Sequence, residues 1–353
     1  MTLLNDASHR RFNPLTREWV LVSPHRTQRP WLGQTERAAR PAEHAYDPEC
    51  YLCPGNRRAN GEVNPPYPQT LVFLNDFPAL KREAGGEAIN ESGLIVAAPE
   101  RGVAKVVCFS PRHDLTLARM SVDEIEPVVK VWTEEYRALG ALEEIGWVQI
   151  FENRGAMMGA SNPHPHCQIW ATESLPNEAV KELASQRAYR EERGGCLLCD
   201  YLALELDAKA RIVCENEGFV ALTPFWAVWP FETLVLPRRH FGAMDEMSGA
   251  EARGLADILR RLTIRYDNLF EISFPYSMGF HQSPTDGAAH PEQHFHAHFY
   301  PPLLRSASVR KFMVGFELLG TPQRDITPES AAARLRDAPA VHYLDRLTNG
   351  ASD

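Results

Sequence analysis

Apolar positions recur along the chain in two patterns, and each predicts an element. Ile125, Val128, Val129, Trp132, Tyr136 and Leu139 follow offsets of 0, 3, 4, 7, 11 and 14, and so do Leu255, Ile258, Leu259, Leu262, Tyr266 and Leu269. That spacing lays one apolar stripe along an α-helix, so two amphipathic helices are predicted, each with a single face in the core. Both are preceded by Ser-x-x-Glu, Ser121 to Glu124 and Ser248 to Glu251. There hydroxyl and carboxylate satisfy the free N–H groups at a helix start. Short β-type runs come before the helices, at Thr70 to Leu74, Lys105 to Phe109, Gly218 to Leu222 and Glu232 to Leu236. Others follow them, at Trp147 to Phe151 and Glu271 to Phe280.

These elements come in the same order twice, which marks an internal repeat. Cys50-x-x-Cys53, Pro111-Arg112-His113, the helix and His164-x-His166-x-Gln168 match Cys196-x-x-Cys199, Pro237-Arg238-Arg239-His240, the helix and His294-x-His296-x-His298. His113 and His164 are 51 residues apart, and His240 and His294 are 54 apart. The predicted fold is α+β: two halves related by a pseudo-two-fold repeat, each an antiparallel sheet with a packed helix. The halves are residues 1–176 and 177–353, joined near 175–190, with loops at Pro54 to Pro68 and Ser283 to Pro291.

A chain of 353 residues with 44% apolar residues can bury full cores for two domains. Lys plus Arg number 37 against 46 Asp plus Glu, so the net charge is 37 − 46 = −9. That argues against a broad nucleic-acid surface and leaves room for a local basic pocket around a small phosphate ligand. No apolar run approaches the roughly 18 residues of a membrane span. Met1 to Phe12 lacks the apolar core of a signal peptide, so a cytoplasmic protein without membrane contact is expected.

The cysteines and histidines add chemistry. Four of seven cysteines lie in the two Cys-x-x-Cys pairs, and the 13 histidines cluster. Cys50, Cys53, His113 and His164 make a Cys₂His₂ set of the kind that closes around tetrahedral zinc. Pro54-Gly55-Asn56 continues the first pair as a loop, whereas a redox pair would begin a helix. By the repeat, Cys196, Cys199, His240 and His294 occupy the same places and predict a further zinc site. In a strand, alternate residues share a face, so His164, His166 and Gln168 project together, and Pro163 and Pro165 point to an edge or irregular strand. With His164 on the metal, His166 is free to attack phosphorus beside the Gly155 to Gly159 turn. Gln168 can donate a hydrogen bond to a phosphoryl oxygen and cannot supply a proton, which suits nucleotidyl exchange between two phosphates better than hydrolysis. The second strand has no prolines and no Gln in third place, which assigns catalysis to the first half.

Gly159-x-Ser161-Asn162-Pro163-His164-Pro165-His166-x-Gln168 resembles the signature of the galactose-1-phosphate uridylyltransferases, two-repeat members of the histidine-triad superfamily. The likeness extends to Arg10 to Pro14, Ser23 to Trp31, Leu74 to Phe77, Phe274 to Met278, His296 to Pro302 and Arg310 to Val314. It implies two histidine-triad-like halves and a ping-pong reaction in galactose metabolism. UDP-glucose would give UMP to His166, releasing glucose 1-phosphate, and galactose 1-phosphate would take it as UDP-galactose. The resemblance makes His166 the nucleophile, Gln168 the phosphoryl donor and Ser161 a phosphate contact, with Gly159 in the same turn. Phe73, Asn75, Asp76, Val106 and Asn153 would contact the nucleoside, and Arg26 and Arg29 the phosphates. In the family a homodimer partner helps grip the hexose, and the matching residues are Lys311, Phe312, Val314, Phe316, Glu317 and Gln323. Phe316 stands where the family usually has Tyr. The resemblance also implies an iron or zinc site at Glu182, His281, His296 and His298, sharing no residue with the two Cys₂His₂ sets. Two alternatives remain beside the transferase: a sugar-nucleotide phosphorylase or adenylyltransferase of the same superfamily, and a zinc-stabilised nucleotide-binding protein without turnover.

Overall fold

The computed structural model describes residues 3–4, 6–28, 44–83 and 85–350; Arg29 falls outside them. The first half runs through β1 (His9–Asn13), β2 (Glu18–Val22), β3 (Leu71–Leu74), β4 (Ile89–Glu91), β5 (Ile95–Ala97) and β6 (Gly102–Cys108). It continues with α1 (Val122–Gly140), β7 (Trp147–Arg154) and β8 (His166–Thr172). Then come α2 (Asn177–Arg193), α3 (Leu197–Ala208), β9 (Ile212–Glu215), β10 (Phe219–Leu222), β11 (Thr233–Pro237) and α4 (Gly249–Phe270). β12 (Tyr276–His281), β13 (His296–Tyr300), α5 (Phe316–Leu319), β14 (Gln323–Arg324), α6 (Pro328–Asp337) and α7 (Tyr343–Gly350) complete the chain.

The two predicted helices are α1 and α4. Both capping boxes are formed, with Ser121 and Ser248 accepting from the backbone N–H of Glu124 and Glu251. All six α1 stripe positions are buried, as are the first five of α4, while Leu269 is half-buried near the helix end. The helices lie side by side over one face of the sheet and share its main core.

The repeat is visible in the sheet. β3-β6-β8-β7 in the first half corresponds to β10-β11-β13-β12 in the second, with β9 added at the far edge. The two half-sheets are one nine-stranded sheet, because β7 pairs antiparallel with β12, Phe151 opposite Gly279 and Asn153 opposite Ser277. Glycine suits this seam. A Cβ on Gly279 would lie 3.1 Å from Gln149 Nε2 and 3.2 Å from the Ile150 carbonyl, so a side chain there would require its neighbours to shift by a few tenths of an ångström.

Three local expectations are corrected. β8 is not an edge strand but lies between β6 and β7; it begins at His166, so the prolines shape its approach and withhold no ladder donor. The strand expected over Glu271 to Phe280 begins only at Tyr276, since Glu271 ends α4 in the left-handed conformation (φ 54°). The junction near 175–190 is α2, a helix whose buried residues include Glu182, Ser185 and Gln186.

Candidate active site and metal centres

His166 opens β8, opposite Cys108 of β6. Its Nδ1 donates to the His164 carbonyl at 2.7 Å, which fixes the tautomer and leaves Nε2 with its lone pair. Burial lowers the pKa of the ring, partly offset by that hydrogen bond, so the imidazole is neutral at physiological pH. It faces a cavity of about 360 Å³ lined by Tyr51, Leu52, Ala59, Phe73, Asn75, Asp76, Phe77, Val106, Ser161 and Gln168. Gln168 Oε1 accepts from Trp170 Nε1 at 3.0 Å and from Asn75 Nδ2 at 3.5 Å, so its acceptor is occupied and its amide N–H groups are left for a ligand. The turn before the strand is a short 3-10 segment, Ala156–Met158, held between Gly155 and Gly159 at φ of 82° and 80°, conformations that glycine adopts without strain.

Of the nucleoside contacts implied by resemblance, Phe73, Asn75, Asp76 and Val106 line this cavity, with Ser161. Asn153 does not; its Oδ1 accepts the Ser277 hydroxyl at 2.7 Å across the seam. Arg26 lies away from the cavity, 3.5 Å from Asp325. Gly159, Lys311 and Phe312 line a separate cavity of about 310 Å³. Lys311, Glu317 and Gln323 form one cluster, in which Lys311 Nζ donates to Glu317 at 2.5 Å and to the Gln323 carbonyl at 2.8 Å. Val314 and Phe316 are exposed. Among the described residues, none of this segment reaches the wall around His166.

Other side chains brace the cavity and its approach, and of these Arg58 and Arg154 carry no pattern in the sequence, while Asn162 belongs to the quoted signature. Arg58 lies over the Phe73 ring at 4.2 Å and 3.4 Å from Asp76, so it braces two walls at once. Asn162 Oδ1 accepts the His164 N–H at 2.9 Å, and Arg154 holds the Pro163 carbonyl at 3.0 Å. The only signal for Phe77 was its place at the end of the Leu74 to Phe77 match.

Three sets of side chains bring their ligand atoms within 4.8 Å of one another: Cys50, Cys53, His113 and His164; Cys196, Cys199, His240 and His294; and Glu182, His281, His296 and His298. Tetrahedral zinc at ordinary bond lengths separates sulfur from nitrogen ligands by about 3.6 Å. In the first set the His164 Nδ1 is 3.9 Å from Cys50 and 3.6 Å from Cys53, and the His113 Nδ1 is 3.7 Å from Cys53. Nε2 of His164 donates to the Ser110 carbonyl at 2.9 Å, which aims Nδ1 at the sulfurs. In the third set Glu182 Oε2 meets His281 Nδ1 at 2.7 Å and His296 Nε2 at 3.1 Å, and Oε1 is 3.4 Å from His298. Burial alone would raise the Glu182 carboxyl, but the three imidazoles outweigh it and hold it well below the usual range. The donor types and spacings of all three sets fit a metal ion.

The chain matches the family models for the galactose-1-phosphate uridyl transferase N-terminal domain over residues 1–176 and C-terminal domain over residues 182–347. It is 54% identical to the galactose-1-phosphate uridylyltransferase of Haemophilus influenzae over 96% of each chain. With that of Rattus norvegicus it shares 52% identity over 96% of this chain and 90% of the other. A solved uridylyltransferase superposes with a TM-score of 0.74 at 28% identity, covering 94% of this chain and 98% of that one. An ADP-glucose phosphorylase from Arabidopsis thaliana gives the same TM-score at 25% identity, covering 94% and 100%. By sequence over nearly its whole length, and by fold, this chain belongs to the galactose-1-phosphate uridylyltransferase family.

Proposed function

We propose that His166 carries the uridylyl group through a two-step exchange. The activity is that of a galactose-1-phosphate uridylyltransferase of galactose metabolism, acting on UDP-glucose and galactose 1-phosphate. In the first step Nε2 of His166 attacks the α-phosphorus of UDP-glucose. The N–P bond forms as the P–O bond to the glucose 1-phosphate moiety breaks, and the electron pair leaves with that phosphate oxygen. The positive charge on the ring is stabilised by Nδ1–H on the His164 carbonyl. In the second step a phosphate oxygen of galactose 1-phosphate attacks the same phosphorus, the N–P bond breaks and the neutral imidazole returns. No proton changes hands at the leaving group, because a sugar phosphate leaves as a stable anion, its second pKa being only about 6. Gln168 and Ser161 hold the phosphoryl oxygens, with the amide N–H groups of Gln168 strengthening their hydrogen bonds as charge grows there. Phe73, Asn75, Asp76 and Val106 seat the nucleoside.

Residues 1–176 form the catalytic half and 177–353 the supporting half. Cys50, Cys53, His113 and His164 would hold zinc, and Glu182, His281, His296 and His298 iron or zinc. Bound there, the ions supply structural cross-links, the first fixing the carbonyl on which His166 leans. By the family resemblance Arg26 and Arg29 would contact the phosphates, although Arg26 lies outside the wall around His166 and 3.5 Å from Asp325. The hexose is gripped by Lys311, Phe312, Val314, Glu317 and Gln323 of a partner in a cytoplasmic homodimer. That arrangement is supported by the separation of this segment from His166 and by the exposure of Val314, Phe316, Leu318 and Leu319, at 60% to 91%. Among the described residues no helix is long and apolar enough to cross a membrane.

The observation that carries this reading is the free Nε2 of His166 facing a cavity that Gln168, on the same face of β8, also lines. Incubation with UDP-glucose should give an acid-labile uridylyl adduct by intact mass, with one equivalent of glucose 1-phosphate released. His166→Gly should form none. An adduct persisting in His166→Gly, or release of glucose 1-phosphate without an adduct, would sink it.

A further inference from the structure

The supporting half contains a cluster that the transfer reaction does not use. Cys196 precedes α3 as its N-cap, and its sulfur accepts from the Cys199 N–H at 3.3 Å. The partial positive charge of the helix start favours a thiolate there. His294 lies at the approach to β13, with Nδ1 3.3 Å from Cys196 and 3.3 Å from Cys199. His240 follows β11, with Nδ1 3.5 Å from Cys199. These separations match the S–N edges of about 3.6 Å of a tetrahedral zinc site. The four ligands come from three separate stretches of chain, and each stretch matches, by the repeat, one that supplies the first Cys₂His₂ set. No ligand is shared with the Glu182 cage.

We infer that Cys196, Cys199, His240 and His294 form an independent zinc site, filled together with the other two, and that its ion exchanges more readily than the ion of the Cys50 site. Two observations separate it from the Cys50 site. The first is access. Cys196, Cys199 and His240 line a cavity of about 650 Å³, with Arg190, Glu246 and His290 among the other residues of its wall. All four ligands of the Cys50 set are buried. The second is support. Nε2 of His164 has the Ser110 carbonyl as acceptor, whereas Nε2 of His294 is buried with no partner. Losing such an outer partner commonly weakens a metal site by roughly 10–100-fold. Binding releases the remaining thiol protons to solvent. The ion then staples the start of α3 to the end of β11 and to the approach to β13, which carries His296 and His298, without touching the nucleotide cavity.

The test is metal release from the purified holoprotein. Zinc is counted by mass spectrometry, and release to a coloured chelator is followed in time. The wild type should give up one zinc in a phase about 10-fold or more faster than the ion of the Cys50 site. Cys199→Ser and His240→Ala should each contain one zinc fewer per chain, lack the fast phase, and keep the rate of uridylyl transfer. As a readout on the unaltered chain, alkylation followed by peptide mapping should label Cys196 and Cys199 in step with the fast phase and before Cys50 and Cys53. A wild-type metal count in both variants, a fast phase persisting in Cys199→Ser, or Cys196 and Cys199 fully alkylated in freshly purified protein would overturn the inference. None of these results bears on the His166 adduct, so the two readings fail separately.

Discussion

The two halves hold the same imidazole in the same way and use it differently. His166 donates from Nδ1 to the carbonyl two residues earlier at 2.7 Å, and His296 does likewise to His294, also at 2.7 Å. In the first half Nε2 opens on a cavity walled by β3, β6 and the loop after Cys50. In the second half α2 covers the equivalent place and puts Glu182 at 3.1 Å from Nε2. The third position follows suit, with Gln168 lining the cavity and His298 facing Glu182. On the function proposed for His166, a nucleophile is not made by the His-x-His strand alone. The strand sets the tautomer, and whatever covers it decides between a reactive nitrogen and a bound one.

The strongest challenge to that view is to remove the carboxylate that holds His296 while α2 stays in place. Glu182→Ala combined with His298→Gln gives the second strand the side chains of the first without its cavity. Taking away the buried anion should cost about 3–5 kcal/mol of stability, measured by denaturant unfolding. His296 should still not become uridylylated, as judged by peptide mapping after incubation with UDP-glucose. A label on His296 would show that the strand motif suffices. On the catalytic side, Gln168→Ala removes a donor that strengthens in the transition state. It should slow both half-reactions by about 10²–10³-fold with little loss of UDP affinity, read by rapid-quench kinetics and calorimetry. An equal loss in binding and in rate would make Gln168 a ground-state contact only.

Much of this contrast was legible in the sequence because its signals are local. The helix stripes, both capping boxes, the Cys-x-x-Cys pairs and the His-x-His segments each rest on a few neighbouring residues, and the repeat links them into sets that the fold gathers. What the sequence hid was the covering and joining of these pieces. α2 has almost no apolar stripe, and its buried face is Glu182, Ser185 and Gln186 with Ala179 and Leu183, so periodicity had nothing to report. The pairing of Glu182 with Gln186 at one-turn spacing was the available clue. The β7–β12 seam joins residues more than a hundred positions apart, and nothing in either strand names the other. Arg58 comes from the loop after the first Cys pair and Tyr51 from the variable place inside that pair, a stretch held by hydrogen bonds such as those from Asn64 Nδ2 to the Tyr51 and Cys53 carbonyls.

The seam itself is open to a smaller test. Glu152 on β7 is buried and accepts from Tyr276 of β12 at 3.0 Å. Burial pushes its carboxyl up to about 7, against the opposing pull of Arg154. The folded state thus binds this proton more tightly than the unfolded chain does. Its contribution is whole below the ordinary carboxylate pKa near 4.3 and fades as pH rises towards 7. Wild-type stability should fall by about 1–3 kcal/mol between pH 5 and 8 on this account. Glu152→Gln should flatten that part of the profile, because the amide keeps a polar contact with Tyr276 and never ionises. An unchanged slope would mean that the seam tolerates the charge.

The smallest effect concerns the segment that stands apart from both imidazoles. Phe316 begins α5 and is 62% exposed, so a hydroxyl at its ring tip would meet little resistance from its own chain. If this segment completes the hexose site of a partner molecule, Phe316→Tyr adds one neutral-to-charged hydrogen bond to a sugar phosphate, worth about 1.5–3 kcal/mol when fully made and less at an exposed position. The KM for galactose 1-phosphate should drop several-fold, while the rate of uridylyl transfer to His166 and the stability of the chain stay as they were. On that reading the gain should also vanish on dilution below the concentration at which such a dimer would dissociate, since the hydroxyl would then face solvent. An affinity gain that survives dilution would place the hexose on the same chain as its nucleophile and remove the need for a partner.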